Sequence, residues 1–380
     1  MPGVLALYIH WPFCQSKCPY CDFNSYVRDQ IDIESWRHAL LADLAFEARA
    51  YGPAKLTSVF FGGGTPSLAP PALVEALINE ACRHWQINEQ IEITLEANPS
   101  STEAACFSDL AAAGVNRLSL GVQALNDADL HKLGRHHSVA EALAALSTAQ
   151  RYFKRVSMDL IYARPEQTLQ NWSEELQEAL TLSVEHYSLY QLTIEENTPF
   201  AAAQRKGQLS IPNDNQAAKL YLKTQEIMGE AGYPAYEISN HAPKQARSRH
   251  NMTYWTYGDY VGIGPGAHGR RHGIATKRIS NPEAWMTAVG KKGSGLELET
   301  YLDPGERARE ALLMGLRLSD GVDLNHIRDK TGLKLDAIID LDKLENLTEQ
   351  AYILRQGERI WIAPKAQLVT NHIIAQLAHD

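Results

Sequence analysis

Short apolar, β-rich runs alternate with amphipathic segments six times between Leu5 and Gly232. This pattern predicts strands at Leu5–His10, Leu56–Phe61, Ile91–Ala97, Val115–Val122, Arg155–Ile161 and His186–Thr193. Apolar residues at three- and four-residue spacing predict helices at Glu34–Ala50, Pro71–Trp85, Ala140–Arg151 and Thr168–Leu182. Repeated βα units predict an α/β fold with a parallel sheet. Six units are too few to close an eight-stranded barrel, so the pattern allows an open three-quarter (βα)6 barrel or a Rossmann-type sheet. In both folds the chemistry lies at the C-terminal ends of the strands.

The rest of the chain is less regular, and we predict three regions. Residues 1–232 form the partial barrel, residues 233–295 form an aromatic, glycine-rich extension that covers one end of it, and residues 296–380 form a small C-terminal α+β domain. The stretch Lys291–Gly295 has the composition of a linker. The last region is predicted to hold helices at Pro304–Leu318 and Leu335–Leu344, then strands at Ala351–Leu354 and Arg359–Ile362 about a turn at Gln356–Gly357. This order is similar to a winged-helix module.

Composition and charge limit the kinds of partner and the cellular location that we expect for this chain. The chain has 380 residues, of which 44% are hydrophobic and 21% charged, as in ordinary globular proteins. Its net charge of -9 argues against a nucleic-acid partner and favours a structural or docking role for the C-terminal domain. Since neither a long apolar run nor a charged leader is present, we expect a cytoplasmic protein.

Three of the five cysteines, Cys14, Cys18 and Cys21, form a CxxxCxxC motif directly after the first strand. Three thiolates on one short loop can hold a [4Fe-4S] cluster and leave one iron without a protein ligand, whereas four cysteine ligands are the general rule. The alternative is a structural zinc site completed by His10 or another histidine. Cys82 and Cys106 lie in helix-like stretches and are expected to be small core residues.

The segment YIHWPFCQSKCPYCDF resembles the radical S-adenosylmethionine (SAM) signature of the oxygen-independent coproporphyrinogen III dehydrogenase (HemN) family, and the resemblance extends along nearly the whole chain. It implies an open radical SAM barrel in which the open iron of the [4Fe-4S] cluster binds the amino and carboxylate groups of SAM. Electron transfer to SAM would then give methionine and a 5′-deoxyadenosyl radical. A flavodoxin or ferredoxin is the kind of electron donor that the resemblance implies.

The resemblance also implies a set of SAM-binding residues near the strand ends. These are Tyr8, Tyr20, Gly63, Gly64, Thr65, Glu96, Gln123, Arg135 and Asp159. The glycines belong to FFGGGTPS, where a backbone without side chains can bring N–H groups close to a ligand. From the pattern alone, the glycine turn could be only a turn, the polar residues could be rim ion pairs or caps, and Tyr8 could be a buried strand residue.

Three features are similar to the HemW branch of this family, which comprises heme chaperones. The fourth cysteine of the dehydrogenases is Phe23 here, and the chain begins only thirteen residues before Cys14, without the N-terminal extension of the dehydrogenases. Residues 250–255 read HNMTYW and match the HNxxYW motif of that branch. His250 is the implied axial ligand of heme, with His241 and His268 as alternatives. One departure is YARPEQT at Tyr162–Thr168, where relatives usually show GLPxQT.

The resemblance therefore implies a chaperone in porphyrin metabolism that binds heme and passes it to an acceptor hemoprotein or respiratory-chain component, with possible peripheral membrane contact through that acceptor. Because His250 is far from the cysteine loop in sequence, we expect heme binding without the cluster. The enzyme alternative is oxidative decarboxylation of coproporphyrinogen III. A scaffold without SAM chemistry is a third hypothesis, which conflicts with the downstream polar residues.

Overall fold

A computed structural model describes residues 3–378, other than the side chain of Glu89. Its strands are β1 Gly3–Trp11, β2 Phe13–Cys14, β3 Tyr26–Val27, β4 Ala54–Gly63, β5 Gln86–Ala97, β6 Arg117–Gln123, β7 Arg155–Tyr162, β8 His186–Gln191, β9 Asn240–His241, β10 Asp259–Ile263, β11 His268–Arg271, β12 Ile274–Arg278, β13 Leu296–Tyr301, β14 Val322–Asp323, β15 Ile353–Gln356 and β16 Arg359–Ile362. Its helices are α1 Ile33–Tyr51, α2 Pro71–His84, α3 Ser101–Ala104, α4 Phe107–Ala112, α5 Asp127–Lys132, α6 Val139–Tyr152, α7 Leu169–Thr181, α8 Pro199–Arg205, α9 Asp214–Glu230, α10 Arg249–Trp255, α11 Pro282–Lys292, α12 Pro304–Gly315, α13 Leu324–Thr331, α14 Leu341–Glu349 and α15 Thr370–Leu377. Short 3₁₀ helices lie at Pro66–Leu68, Lys244–Ala246, Leu335–Ala337 and Pro364–Val369.

One large sheet has the order β13-β12-β11-β10-β1-β4-β5-β6-β7-β8-β9. The six predicted strands are confirmed as β1 and β4–β8, and they pair in parallel in the order of the chain. A Rossmann sheet reverses its strand order at a switch point, and no such reversal occurs among these six. The predicted α/β fold with an open partial barrel and a C-terminal domain is therefore confirmed.

The helices between these strands begin where polar caps satisfy their first N–H groups. Asp32, Ser138 and Thr168 accept hydrogen bonds at the starts of α1, α6 and α7, and α6 has a complete capping box with Glu141. The predicted helix bounds therefore match to within one residue. No helix within residues 3–378 is long and apolar enough to span a membrane.

The region 233–295 is more regular than predicted. It supplies β10, a seventh parallel strand beside β1, and then the antiparallel hairpin β11–β12, which turns at His272 and Gly273. Both turn residues have positive φ, as a two-residue hairpin turn requires. The sheet therefore continues past residue 232 and includes β13 beyond residue 295.

The predicted linker at Lys291–Gly295 is wrong. Helix α11 continues to Lys292 and ends on Gly293, which adopts the left-handed conformation usual for a helix C-terminus. The next residue, Ser294, is buried and donates a hydrogen bond of 2.9 Å to Asp43. A Cβ on Gly295 would lie 1.9 Å from the indole of Trp285, so this is a packed turn.

The C-terminal region builds a second hydrophobic core around a three-stranded sheet, β14-β16-β15. Helix α12 and the β15–β16 hairpin about Gly357 are confirmed. The predicted helix at Leu335–Leu344 is wrong, because a 3₁₀ turn at Leu335–Ala337 ends before Asp340 caps α14. Helix α13 was not predicted at all. The boundaries 1–232, 233–295 and 296–380 stay predictions, and residues 1–2 and 379–380 lie outside the described residues.

Candidate functional site

A cavity of about 740 Å³ opens at the C-terminal ends of the barrel strands. Its walls come from three parts of the chain: barrel residues such as Tyr8 and Glu96, His250 of α10, and Leu313 and Met314 of α12. Its volume is in the range of sites for small molecules and cofactors. The C-terminal region thus forms one wall of the candidate site.

Cys14 ends β2, and Cys18 and Cys21 follow on the loop that leads to Phe23 and Asn24 on the cavity wall. Each of the three cysteines is partly exposed. The hydroxyl of Thr65 donates to the sulfur of Cys14 at 3.5 Å, and the Arg135 guanidinium donates to the sulfur of Cys18 at 3.5 Å. Burial raises the pKa of the Cys14 thiol, while the Thr65 hydroxyl opposes that rise. Donors of this kind stabilise thiolate ligands and tune an iron-sulfur cluster. The loop residues therefore fit a cluster.

The zinc alternative is not supported by the surroundings of His10. Its Nε2 lies 2.9 Å from the carbonyl oxygen of Asn24, which can only accept, so Nε2 carries the proton. Its Nδ1 lies 3.0 Å from the Tyr8 hydroxyl and accepts from it. Neither ring nitrogen is left for a metal.

Tyr8, Gly63 and Glu96 meet on the cavity wall. The N–H of Gly63 donates to the Glu96 carboxylate at 3.3 Å. Burial, followed by the nearby charge of Asp159, raises the pKa of Glu96 to about 8. A carboxyl group that is protonated near neutral pH can donate as well as accept hydrogen bonds to a polar ligand.

The glycine-rich turn has a different use from the one expected. The N–H of Gly64 donates to Trp11 at 2.7 Å, and the N–H of Thr65 donates to Phe13 at 2.8 Å. A Cβ on Gly64 would lie 2.6 Å from the Phe13 carbonyl oxygen. The prediction was that these N–H groups face a ligand. Instead they bind backbone carbonyl groups and attach the turn to the segment that leads into Cys14.

Gln123 is the last residue of β6, Asp159 lies within the neighbouring strand β7, and Arg135 lies between α5 and α6. None of the three lines the cavity. Gln123 has φ of 70°, a rare conformation for this residue that often marks functional sites. Arg135 donates to Asn98 at 2.5 Å and to Gly121 at 3.1 Å, and its buried Nε has no acceptor among the described residues. Burial raises the pKa of Asp159 to about 6, although hydrogen bonds from serine hydroxyls act to lower that pKa.

Tyr20 lies on the same side as Arg135, next to Cys18. Burial raises the pKa of its hydroxyl, with the Arg135 charge acting in the opposite direction. Its ring also contacts Phe200, with centroids 6.2 Å apart. Of the predicted SAM residues, Tyr8, Gly63 and Glu96 thus share the cavity wall, while Tyr20 and Arg135 lie beside Cys18.

The HNMTYW segment folds as α10, which Glu92 anchors to the barrel. The buried Glu92 carboxylate accepts hydrogen bonds of 3.1 Å from the N–H groups of Arg249 and His250, and it pairs with Arg155 at 2.5 Å. Burial alone would raise its pKa, but the charges of Arg117 and Arg155 hold the pKa below its ordinary value. Sequence reasoning missed Glu92. The signal was present, since Glu92, Thr94 and Glu96 alternate along one strand and so share a face.

His250 is buried inside the barrel. Its Nδ1 lies 3.2 Å from the Ser58 hydroxyl, and its ring stacks on Phe60 with centroids 4.9 Å apart. Burial lowers the pKa of His250 to about 4, so the imidazole is neutral near pH 7. Its Nε2 has no hydrogen-bond partner among the described residues. Such a nitrogen is able to ligate a metal.

The two alternative histidines differ in position. His268 is exposed and lines the cavity, whereas His241 is buried in β9 and does not line it. Of the aromatic residues in HNMTYW, Tyr254 lines the cavity and Trp255 does not. His250, His268 and Tyr254 are therefore the members of the predicted heme set that share the cavity with Tyr8 and Glu96.

Phe23 also lines the cavity, with 61% of its surface exposed. This residue stands where the dehydrogenases have their fourth cysteine. It places an apolar ring at the cavity wall near the cluster loop.

The departure at Tyr162–Thr168 is accommodated locally. Ala163 has φ of 58°, a conformation that favours the glycine usual in relatives. The buried Arg164, which replaces an apolar residue, pairs with Glu175 and lies 3.1 Å from Asp129. Thr168 still caps α7, so the loop keeps its place in the fold.

Comparisons with known proteins agree with this architecture. Residues 8–179 match the family model of the radical SAM superfamily, and residues 302–369 match that of the HemN C-terminal domain. The heme chaperone HemW of Haemophilus influenzae is 35% identical, with 97% of each chain covered, and HemW of Escherichia coli is 32% identical with the same coverage. The mitochondrial radical S-adenosyl methionine domain-containing protein 1 of Bos taurus is 40% identical over 84% of this chain and 75% of its own. Among solved structures, coproporphyrinogen III oxidase (HemN) of Escherichia coli has a TM-score of 0.83 at 22% identity, covering 99% of this chain and 90% of its own. That last likeness shows the fold.

Proposed function

The chain belongs to the radical SAM superfamily and, within it, to the family of the HemW proteins, and from this we propose that it binds heme and transfers it to acceptor proteins. Membership of the superfamily implies SAM and a [4Fe-4S] cluster as cofactors. The proposal rests chiefly on one observation, the neutral and buried His250 on the wall of a cavity large enough for a cofactor.

For the cluster we propose Cys14, Cys18 and Cys21 as ligands, with Tyr8, Gly63 and Glu96 as the residues that meet SAM on the cavity wall. When bound, the cluster and SAM supply reductive cleavage of the sulfonium. Arg135 donates to Cys18 and holds positive charge beside the cluster loop. The position of Glu96 suits it to bind the polar groups of SAM.

For heme we propose axial ligation by Nε2 of His250. The Ser58 hydroxyl at Nδ1 fixes the orientation of the ring, as partners of metal-ligating histidines generally do. Phe60 and Tyr254 supply aromatic faces on which a macrocycle can pack. Ligation requires the neutral imidazole, which the lowered pKa of His250 ensures at neutral pH.

A second candidate is oxidative decarboxylation of coproporphyrinogen III. It is favoured by the fact that one cavity joins His250 to Tyr8 and Glu96, since a tetrapyrrole there would lie next to bound SAM. Against it stands Phe23, which has no thiol at the position of the fourth cysteine of the dehydrogenases. We therefore place heme transfer first.

The acceptor that we propose is a hemoprotein or a respiratory-chain component, and the electron donor a flavodoxin or ferredoxin. A cytoplasmic location is likewise a prediction. Because some relatives are named as mitochondrial, cell fractionation is the experiment that tests this location.

The test compares wild type with His250→Ala and with His38→Ala, an exposed histidine on α1. We expect wild type and His38→Ala to retain about one heme per chain after gel filtration. His250→Ala should lose heme or shift its absorption while keeping its iron and sulfide. With SAM and a reductant, wild type should give no protoporphyrinogen IX from coproporphyrinogen III. Robust decarboxylation with no heme retained would put the dehydrogenase first.

A further inference from the structure

Arg270 is a buried cation on the wall of the cavity. It lies in β11, where side chains alternate between the two faces of the sheet, so that Arg270 and His268 both reach the cavity. Arg271, the next residue along the strand, instead pairs with Glu47 in the interior. Only 8% of the surface of Arg270 is exposed, and that part meets the cavity.

The guanidinium of Arg270 is held in place but only partly satisfied. It lies over the ring of Tyr257, 3.6 Å from the centroid, and its Nη2 donates to the Gly258 carbonyl at 2.9 Å. The structure gives its other N–H groups no acceptor within hydrogen-bond distance among the described residues. A guanidinium has five donors. The unpaired ones of Arg270 are not among the inaccessible polar atoms without a partner, so a ligand in the cavity can reach them.

The nearest carboxylate, that of Glu310 in α12, lies 3.6 Å from Nη1, beyond a good hydrogen bond. Glu310 accepts instead from the Tyr257 hydroxyl at 2.7 Å and is 43% exposed. It also lines the cavity. A carboxylate on a cavity ligand could therefore reach the same guanidinium, and with bidentate geometry it would bind better than Glu310 does.

We propose that Arg270 binds a propionate carboxylate of the tetrapyrrole, and that Glu310 competes with that carboxylate for the same guanidinium. The inference rests on the proposed function, because it takes heme to be the occupant of the cavity. The cavity has the polarity that such a ligand needs. His250 lies among aromatic rings, and Arg270 is the only arginine or lysine among the described residues that line the cavity, where the carboxyl groups are those of Glu96 and Glu310. An amphipathic macrocycle with its iron at His250 would direct its acidic edge toward Arg270.

The test measures affinity for ferric protoporphyrin IX and for its dimethyl ester, which has no carboxylates, by absorption titration of the cluster-loaded full chain. Wild type should prefer the free acid about tenfold or more, the range expected of a charge-assisted hydrogen bond. Arg270→Gln should lose that preference, and Arg270→Lys should recover part of it. Glu310→Gln should tighten binding of the free acid by up to about fivefold and leave the ester unchanged.

The matched controls are Arg37→Gln and Glu34→Gln, which remove the members of an exposed ion pair on α1. Both should bind like wild type. A purely structural role of Arg270 would lower the melting temperature and weaken the acid and the ester alike, and this outcome would overturn the inference. If Arg270→Gln does not fold, the acid-to-ester ratio of Glu310→Gln tests the proposal instead, and an unchanged ratio counts against it.

Two further results keep this inference separate from the proposed function. If wild type binds neither the acid nor the ester, the proposed function itself fails. If both bind through His250 but Arg270→Gln keeps the preference for the acid, only the inference on Arg270 is wrong. The affinity for SAM, which also has a carboxylate, should be unchanged in Arg270→Gln. A weaker affinity for SAM with an unchanged affinity for heme would assign Arg270 to SAM and overturn the inference.

Discussion

The rings of His250 and Tyr8 lie side by side, with centroids 6.2 Å apart, although they come from opposite parts of the chain. Tyr8 is in the first strand of the barrel and His250 is in α10. Both line one cavity, and Phe60 stacks against each of them. The proposed heme and SAM sites are therefore neighbours in space, although their residues are far apart in the sequence. Heme binding without the cluster stays a prediction, but the two ligands would be close neighbours.

From this shared cavity we predict that SAM and heme affect each other's binding. Saturating SAM should weaken heme binding to cluster-loaded protein by about fivefold or more, and heme should weaken SAM binding by the same factor, because coupling between two ligands is reciprocal. Calorimetric titration in both orders measures the two factors. Equal heme affinities with and without SAM would mean that the ligands do not share the cavity.

The cluster ligands should be separable from the other cysteines. Replacing Cys14, Cys18 or Cys21 by serine should abolish the cluster, since each thiolate is a ligand. The matched controls Cys82→Ser and Cys106→Ser should keep about four iron and four sulfide per chain after anaerobic reconstitution. Loss of the cluster in either control would show that the ligands are wrongly assigned.

The raised pKa of Glu96 predicts a specific pH dependence of stability. A carboxyl with a folded pKa of about 8, above its ordinary value of 4.5, binds more protons in the folded state than in the unfolded state between these values. Wild type should therefore lose stability as pH rises from about 5 to about 8. Glu96→Gln lacks this loss, so its free energy of unfolding relative to wild type should rise by at least about 1 kcal/mol over that range. Denaturant unfolding at several pH values measures the difference, with the exposed Glu34→Gln as control. A difference that stays constant with pH would refute the assignment.

Glu92 should position His250 without contacting a ligand. Glu92→Gln removes the charge that pairs with Arg155 and accepts from two N–H groups of α10. Breaking a buried pair in this way is expected to cost about 3 kcal/mol of unfolding free energy. It should also shift the heme absorption band while the iron and sulfide content stays unchanged.

The control for Glu92 is Glu185→Gln, which removes the more exposed carboxylate that pairs with Arg155. This variant should bind heme with the wild-type spectrum. If Glu92→Gln is destabilised but its heme spectrum is that of wild type, Glu92 supports only the fold.

The sequence predicted those parts of the fold that depend on local periodicity. The strands β1 and β4–β8 and their capped helices follow from alternating patterns and cap residues that lie within each segment. Strand β10 could not be predicted in the same way, because its five residues pair with β1, which lies at the other end of the sequence of the barrel. Pairing over that distance leaves no periodic signal in the strand itself.

The candidate site was predictable to a similar extent. The resemblance pointed to Tyr8, Glu96 and His250 but not to their common cavity, which depends on the place of α10 between the barrel and α12. Glu92 and Arg270 belong to no recognised motif. Alternation along β5 places Glu92 on the same face as Glu96. Its contact with α10 and the surroundings of Arg270 follow only from the three-dimensional structure.

The central claim, that His250 is the heme ligand in this cavity, is tested most directly by chemical rescue. His250→Gly removes the imidazole and leaves space beside Phe60 on the cavity wall, where a small molecule can enter. Added imidazole should restore the heme affinity and the absorption spectrum of wild type in His250→Gly, and should have little effect on wild type itself. If His250→Gly binds heme with the wild-type spectrum before any imidazole is added, His250 is not the ligand and the account is contradicted.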